Sequence, residues 1–305
     1  MTDIFGPVEA TSKKLYNDNV QLAVQQTDSR FTDCFTYIAG LKGKEMQAVE
    51  LIGASKAIRG LPHSAPTPHI PPKHEGVNVR PERVSWGRTV PTQIAVTNVV
   101  DYNSIYVQEG AAAMIRERDA VLFEAIFKPR LIANDETGAV ASVPWAGKTI
   151  AQNETGQGAS GGNTGLTPGK VLKAIEYFIN ADLYIEGEDI YVGVAGQDNT
   201  SIMLQAVFTS SDYRSFRGSF DKRVMDTALG VKFVRYPSAL TLNGASGYRE
   251  LPVWLKSGMH WGEALPLTTQ IERDPGRQYQ LHPFMDMWIG ATRSEDERVV
   301  KLLAV

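Results

Sequence analysis

At 305 residues the chain is long enough to bury a substantial core, as one large domain or two modest ones. Its 43% hydrophobic content is too high for a disordered protein, and 31 Lys and Arg against 34 Asp and Glu (net −3) leave none of the basic excess with which proteins grip phosphate backbones. The single cysteine, Cys34, excludes an intrachain disulfide and a thiolate metal cluster, and no stretch approaches the roughly 20 apolar residues of a membrane-spanning helix.

Residues 1–42 read as an arm with one helix. Its opening, MTDIFGPVEATSKK, has no basic start followed by an apolar run, so the expectation is a chain without a secretory signal, made in the cytoplasm. Ser12 is a candidate cap for a segment in which Leu15, Asn19, Leu22 and Gln26 share a stripe, with Val20, Ala23 and Val24 beside it. Only part of that face is apolar, so this helix needs a partner surface. From 43 to 91 the character changes. Residues 44–52 and 77–90 suit extended strands, and 61–74 between them carry five prolines, which fix φ and remove N–H donors. The segment reads as a two-stranded projection with a Pro-rich tip, too long to fold back on one compact subunit and so expected to lie on a neighbour.

Residues 104–128 give the clearest helix, rich in alanine, with Ser104 as cap and Pro129 as stop. At 1.5 Å per residue it spans about 40 Å. Asp119 interrupts the Ile115, Leu122, Ile126 face, so either burial there is incomplete or the carboxylate has a partner. Residues 155–165 are Gly-, Asn- and Ser-rich and read as a surface loop. Thr167 and Pro168 then open a second helix with Val171, Ile175, Phe178 and Ile179 on one face. The continuous apolar run 190–195 suits a buried strand, and Asp198 or Asn199 can cap a third helix through Ile202, Ala206 and Val207. Residues 231–236 alternate like a strand, and 244–247 mark a loop. The C-terminal third reads as mostly β. Residues 267–271 and 278–281 flank the turn Asp274-Pro-Gly276, in which Pro presets φ and Gly accepts a positive one. Strands at 284–291 and 298–305 follow, around a charged turn at 294–297.

Residues capable of chemistry do not assemble into a catalytic pattern. Gly156-Gln-Gly-Ala-Ser-Gly161 spells a dinucleotide fingerprint but lacks the strand before it and the helix opening from it. Gly147-Lys-Thr149 ends like a phosphate-binding loop, yet Ser142 stands where that motif needs its first glycine. His63, His69 and His74 lie near one another with Glu75 as the only close carboxylate, a thin set for a metal. His260 and His282 have no evident nucleophile partner. No active site, cofactor or metal is expected. Two basic clusters remain. Lys73, Arg80, Arg83 and Arg88 face Glu75 and Glu82, a balance of +2. Arg214, Arg217, Lys222, Arg223, Lys232 and Arg235 face Asp212, Asp221 and Asp226, a balance of +3. Each is either a solvated or intrachain-paired face or a contact with acidic groups of a neighbouring subunit.

Several strings, in this order, resemble the tailed-bacteriophage major capsid proteins of the Hong Kong 97-type fold, in particular an uncleaved branch. They are Tyr16-Asn-Asp-Asn-Val-Gln-Leu-Ala-Val-Gln-Gln26, Arg80-Pro-Glu-Arg-Val-Ser-Trp86, Leu229-Gly-Val-Lys-Phe-Val-Arg235 and Gly290-Ala-Thr-Arg-Ser-Glu-Asp-Glu-Arg-Val-Val-Lys-Leu302. The resemblance runs from about residue 16 to 302. It implies an α+β fold with an N-terminal arm (1–42), an extended loop over an adjacent subunit (43–91), a peripheral domain with a long spine helix (92–165 and 266–305) and an axial domain (166–265). It also implies self-assembly into pentamers and hexamers of an icosahedral head shell in the virion, enclosing double-stranded DNA by confinement. A separate scaffolding protein, without cleavage of this subunit, a portal at one vertex and a possible decoration protein are the implied partners, and no membrane is. Covalent Lys–Asn crosslinking occurs in some relatives and stays open here. The alternatives are an encapsulin-like nanocompartment with an enzyme as cargo, and a soluble hydrolase or nucleotide-binding enzyme.

Overall fold

The computed structural model describes residues 26, 28–43, 45–53, 57–60, 63, 74–89, 102–133, 139–155, 162–204, 225–244 and 247–305. The expected N-terminal helix, almost all of the Pro-rich tip and the Gly156–Gly161 string lie outside them. In chain order the described strands begin with β1 (Thr36–Tyr37), β2 (Met46–Ile52), β3 (His74–Val79), β4 (Glu82–Gly87), β5 (Arg130–Ala133), β6 (Val140–Val143) and β7 (Thr149–Ile150). They continue with β8 (Ile190–Val194), β9 (Thr227–Ala228), β10 (Val231–Arg235), β11 (Leu242–Asn243) and β12 (Arg249–Leu255). The last are β13 (Met259–Asp274), β14 (Gln280–Arg293) and β15 (Val299–Ala304). The described helices are α1 (Tyr102–Ala125), α2 (Pro168–Asn180) and α3 (Gly196–Met203).

The chain divides into two compact units. The larger takes in Arg30–Arg80, Leu122–Gly262 and Gly290–Val305. Its main sheet has the order β7-β15-β12-β8-β10-β9, with β11 on β12. β8, buried along its whole length, runs parallel to β10 and antiparallel to β12. This is why the apolar run 190–195 is continuous instead of alternating: both faces are covered. Phe31, Phe35, Phe123 and Trp254 pack around that sheet, and the Trp254 indole N–H donates to the Cys34 carbonyl at 3.2 Å. Cys34 itself is buried in this core, its thiol donating to the Arg30 carbonyl at 3.3 Å. A second sheet has the order β2-β3-β5-β6, in which β2 and β3 form the antiparallel pair expected at the base of the projection, with an irregularity between Gln47 and Val49. The four-residue strands β5 and β6 extend it.

The smaller unit comprises the described parts of Met1–Ser29, Pro81–Val121 and Glu263–Ile289. Here β4 pairs antiparallel with β14, from Gly87↔Phe284 to Glu82↔Ile289. Met114 of α1 packs with Met285, Met287 and Ile289, flanked by Val84, Trp86, Val107, Ala111 and Val121. Gly110 lets the helix come close, since a Cβ there would lie 2.6 Å from the Trp86 ring. Asp119 is buried and accepts hydrogen bonds from Gln26 Nε2 and Ser29 Oγ, so the break in the apolar face is a satisfied carboxylate.

Four readings change at this level. The returning strand expected over 77–90 is two strands, broken at Arg80-Pro81, and its second half pairs with β14. α3 begins at Gly196, and Asp198 acts from within its first turn, accepting from Ala195 N at 3.3 Å. Ile179, expected on the buried face of α2, is exposed. In the turn at 274–276 Asp274 Oδ1 accepts from Gly276 N at 2.8 Å, but the left-handed residues are Gln278 and Tyr279, not the glycine.

Candidate functional site

The three described arginines of the first basic cluster are each held by a carboxylate of the same chain. Arg80 Nη2 lies 3.1 Å from Glu45, which also accepts from Asn78. Arg83 Nε faces both oxygens of Asp286 at 3.0 and 3.1 Å, and that hydrogen bond holds the guanidinium more firmly protonated than usual. Arg88 Nη1 meets Glu109 at 2.6 Å while its guanidinium stacks 4.6 Å over the Tyr106 ring. Arg83 and Arg88 belong to the smaller unit and Arg80 to the larger. All three stay exposed, where screening by water leaves an ion pair little effect on stability. Lys73, Arg214, Arg217, Lys222 and Arg223 lie outside the described residues. Of the second cluster, Lys232 Nζ meets Asp189 at 2.6 Å and lowers that carboxyl's pKa, while Arg235 stands exposed on β10.

The charged groups that sequence periodicity passed over are buried. Arg293 has no exposed surface. Its Nη1 donates to the carbonyls of Ile126 (2.7 Å) and Lys128 (3.0 Å), the unsatisfied acceptors past the end of α1, and its Nε meets Asp296 at 2.7 Å. Burial works against the guanidinium charge, and Asp296 works for it. Arg130 Nη1 donates to Ser294 O at 2.6 Å, and Ser294 N to Gly258 O at 2.9 Å. Within the 290–302 string singled out in the sequence, Arg293 and Ser294 thus make a buried polar corner past the end of α1, between β14 and β15. Lys170 is the second such group. It has no exposed surface, and Nζ donates to the carbonyls of Thr164 (2.8 Å), Gly165 (2.9 Å) and Leu303 (2.8 Å). Burial lowers its pKa to about 8, opposed by Asp198 and Glu154. Lys301 extends over the rings of Phe127 and Trp145 at 4.6 and 4.7 Å and pairs with Glu250.

These arrangements hold a fold together; none is a reacting pair. Gly147 has a packing reason, because a Cβ there would lie 2.5 Å from the Asp296 carbonyl oxygen. His74 Nδ1 meets Glu50 at 2.7 Å, His63 is exposed, and His69 lies outside the described residues. No group of three or more His, Cys, Asp or Glu side chains is placed to hold a metal among the described residues. A cleft of about 360 Å³ is lined by Gln197, Ser238, Thr241, Asn243 and Arg249. Its one charged side chain, Arg249, is engaged by buried Asp198 at 2.9 Å, by Gln197 and by the Val305 carbonyl.

The family model described as phage capsid protein matches residues 8–305. No curated protein matches the sequence. Among solved structures the chain is similar to the capsid of the cyanophage P-SCSP1u, at 16% identity and TM-score 0.69, over 96% of this chain and 92% of that one. It is similar to the acid-stable capsid of Helicobacter pylori bacteriophage KHP30 at 7% identity and TM-score 0.68, over 100% and 98%. A structure from Mycobacterium phage Che8 matches at 14% identity and TM-score 0.66, over 95% and 96%. The architecture is the α+β, Hong Kong 97-type capsid fold.

Proposed function

The chain belongs to the phage capsid protein family, and on that premise we propose that its copies close into pentamers and hexamers of an icosahedral head around double-stranded DNA. Membership makes it a structural protein of the virion shell; the capsomer geometry and the contents are the proposal. The family match over nearly the whole length carries the reading. Two physical features support it. The β2–β3 pair brackets a segment with five prolines between residues 61 and 74, a composition that suits a projection lying on a neighbour, and the net charge of −3 suits DNA held by confinement without base contacts.

In this reading 43–91 is the extended loop and α1 the spine of a peripheral domain made of 92–165 and 266–305. Residues 166–265, with α2, α3, β8 and β10, form the axial domain. Lys73, Arg80, Arg83 and Arg88 reach carboxylates of an adjacent subunit, the three arginines in addition to those they already hold, and Arg214, Arg217, Lys222 and Arg223 reach carboxylates between axial domains. A scaffolding protein directs assembly in the host cytoplasm, a portal occupies one vertex and a decoration protein is an optional outer partner. The test is size-exclusion chromatography and negative-stain microscopy of the expressed chain and of heads. Closed particles of uniform diameter containing genomic DNA are expected. A stable monomer with both projecting segments packed on its own body would overturn the reading, and particles loaded with a cargo enzyme would transfer it to a nanocompartment.

A further inference from the structure

We propose that Asn243 is a site of spontaneous covalent modification, its side-chain amide closing on the main-chain nitrogen of Gly244 with loss of ammonia. The inference stands whether or not copies of the chain assemble. Asn243-Gly244 is the one Asn-Gly pair in the sequence. Glycine has no Cβ, so nothing at residue 244 crowds the approach of its nitrogen to the preceding side chain. Asn243 is exposed at the end of β11, a strand of two residues that pairs with β12 alone among the described strands. Its side-chain amide has no hydrogen-bond partner among the described residues, so nothing there holds it away from the main chain. Other asparagines are held or crowded. Asn78 donates to Glu45, Asn199 accepts from Met225 N, and Asn163 donates to the Tyr248 hydroxyl. Asn153 and Asn180 precede Glu154 and Ala181, whose side chains crowd the attacking nitrogen.

The chemistry needs only water. Gly244 N attacks Asn243 Cγ, a C–N bond forms, and the side-chain nitrogen departs as ammonia, carrying the proton that the glycine nitrogen gives up. The cyclic imide then takes up water. Opening at Cγ leaves an ordinary aspartate, and opening at the main-chain carbonyl leaves an isoaspartate, with the β-carbon drawn into the backbone. A hydrogen bond opposes the first step, because Gly244 N donates to Tyr248 O at 2.9 Å. A strand held by two residue pairs opens more readily than the buried β8, so local opening frees the nitrogen. The change matters structurally because Asn243 stands opposite Arg249 in register and lines the same cleft. Arg249 already ties Asp198 of α3 to the Val305 carbonyl. Aspartate at 243 sets a carboxylate across from that guanidinium, a favourable cross-strand pair, whereas isoaspartate breaks the register of β11 on β12.

Ageing of the full chain at mildly alkaline pH, followed by peptide mass spectrometry, tests this. The peptide that holds residue 243 should turn from amide to acid about tenfold or more faster than those that hold Asn163 or Asn180, with ring closure setting the rate. Gly244→Ala should slow the conversion about tenfold, because its methyl crowds the attacking nitrogen. The added Cβ meets Glu250 Oε1 at 2.7 Å, the end of a side chain that can shift, so circular dichroism should match the wild type. Enzymatic methylation of isoaspartyl carboxylates gives a second readout on the wild type alone, and the label should fall in the same peptide. Conversion of other asparagines while residue 243 stays an amide would overturn the proposal. So would an equal rate in folded Gly244→Ala, or aspartate formed with no isoaspartate, which would mean direct hydrolysis without the ring.

Discussion

The guanidinium of Arg293 spends its hydrogen bonds on two carbonyls beyond the end of α1 and on Asp296, with no surface in contact with water. Truncating one partner of such a set strands the others, at a cost of about 3–5 kcal/mol. Arg293→Ala should therefore lower the free energy of unfolding by that amount in chemical denaturation. Arg293→Lys should recover little, because one ammonium cannot reach acceptors that a planar fork spans. A loss under about 1 kcal/mol would show that the turn is held by its backbone alone. Lys170 behaves differently, because its charge is the unfavourable part. Its folded pKa, about 8, lies below the ordinary 10.5, so the unfolded chain binds more protons between those values and stability rises with pH across that window. Below about pH 8 the full cost of the buried ammonium is present. Wild type should gain stability relative to Lys170→Met as pH is raised from about 8 to 10. Parallel pH curves for the two proteins would sink the assignment. Neither burial was legible from periodicity, which assigns charged side chains to the surface. Arg293 was marked only because its string resembled a family, and the acceptors of Lys170 lie partly at Leu303, far along the chain.

At the scale of elements, local signals were read well where they are self-contained. Thr167 accepts from Lys170 N and Pro168 opens α2, as the sequence reading had it. The run 190–195 is the central buried strand β8. What escaped depends on partners: β5 and β6 are four residues long and gain meaning only beside β3, and the break at Arg80-Pro81 is fixed by which sheet β4 joins. The same dependence decides the sign of a substitution in α1. An alanine for an interior helical glycine normally stabilises by about 1 kcal/mol. At Gly110 the new Cβ would lie 2.6 Å from two Trp86 ring atoms and 3.0 Å from Met285 Sδ, an overpacking that costs about 1–3 kcal/mol. Gly110→Ala should therefore destabilise the smaller unit, and the same change in a Trp86→Leu background should turn stabilising. A stabilised single variant would mean that α1 does not approach the sheet as closely as described.

Across the whole molecule, the family was legible because the strings that carry it are spread over nearly the full length, and no single residue does. The surfaces were less so. The basic clusters drew attention as runs of like charge, yet Arg80, Arg83 and Arg88 each hold a carboxylate of their own chain, while Leu172 and Ile179 of α2 stand exposed although Ile179 was expected on its buried face. Sequence pattern gives a helix its stripe, and only packing shows that a second stripe is left outside.

α2 is in this sense loaded on both sides. Val171, Ala174 and Phe178 are wedged into the sheet, and Lys170 grips the backbone of β15 itself. A push or pull delivered at Leu172 or Ile179 by a neighbour crosses one helix diameter, about 10 Å, before it reaches hydrogen-bonded main chain. Such a load would then be carried by a stiff rod and a sheet, like a brace set between two walls, with little slack from side chains in between.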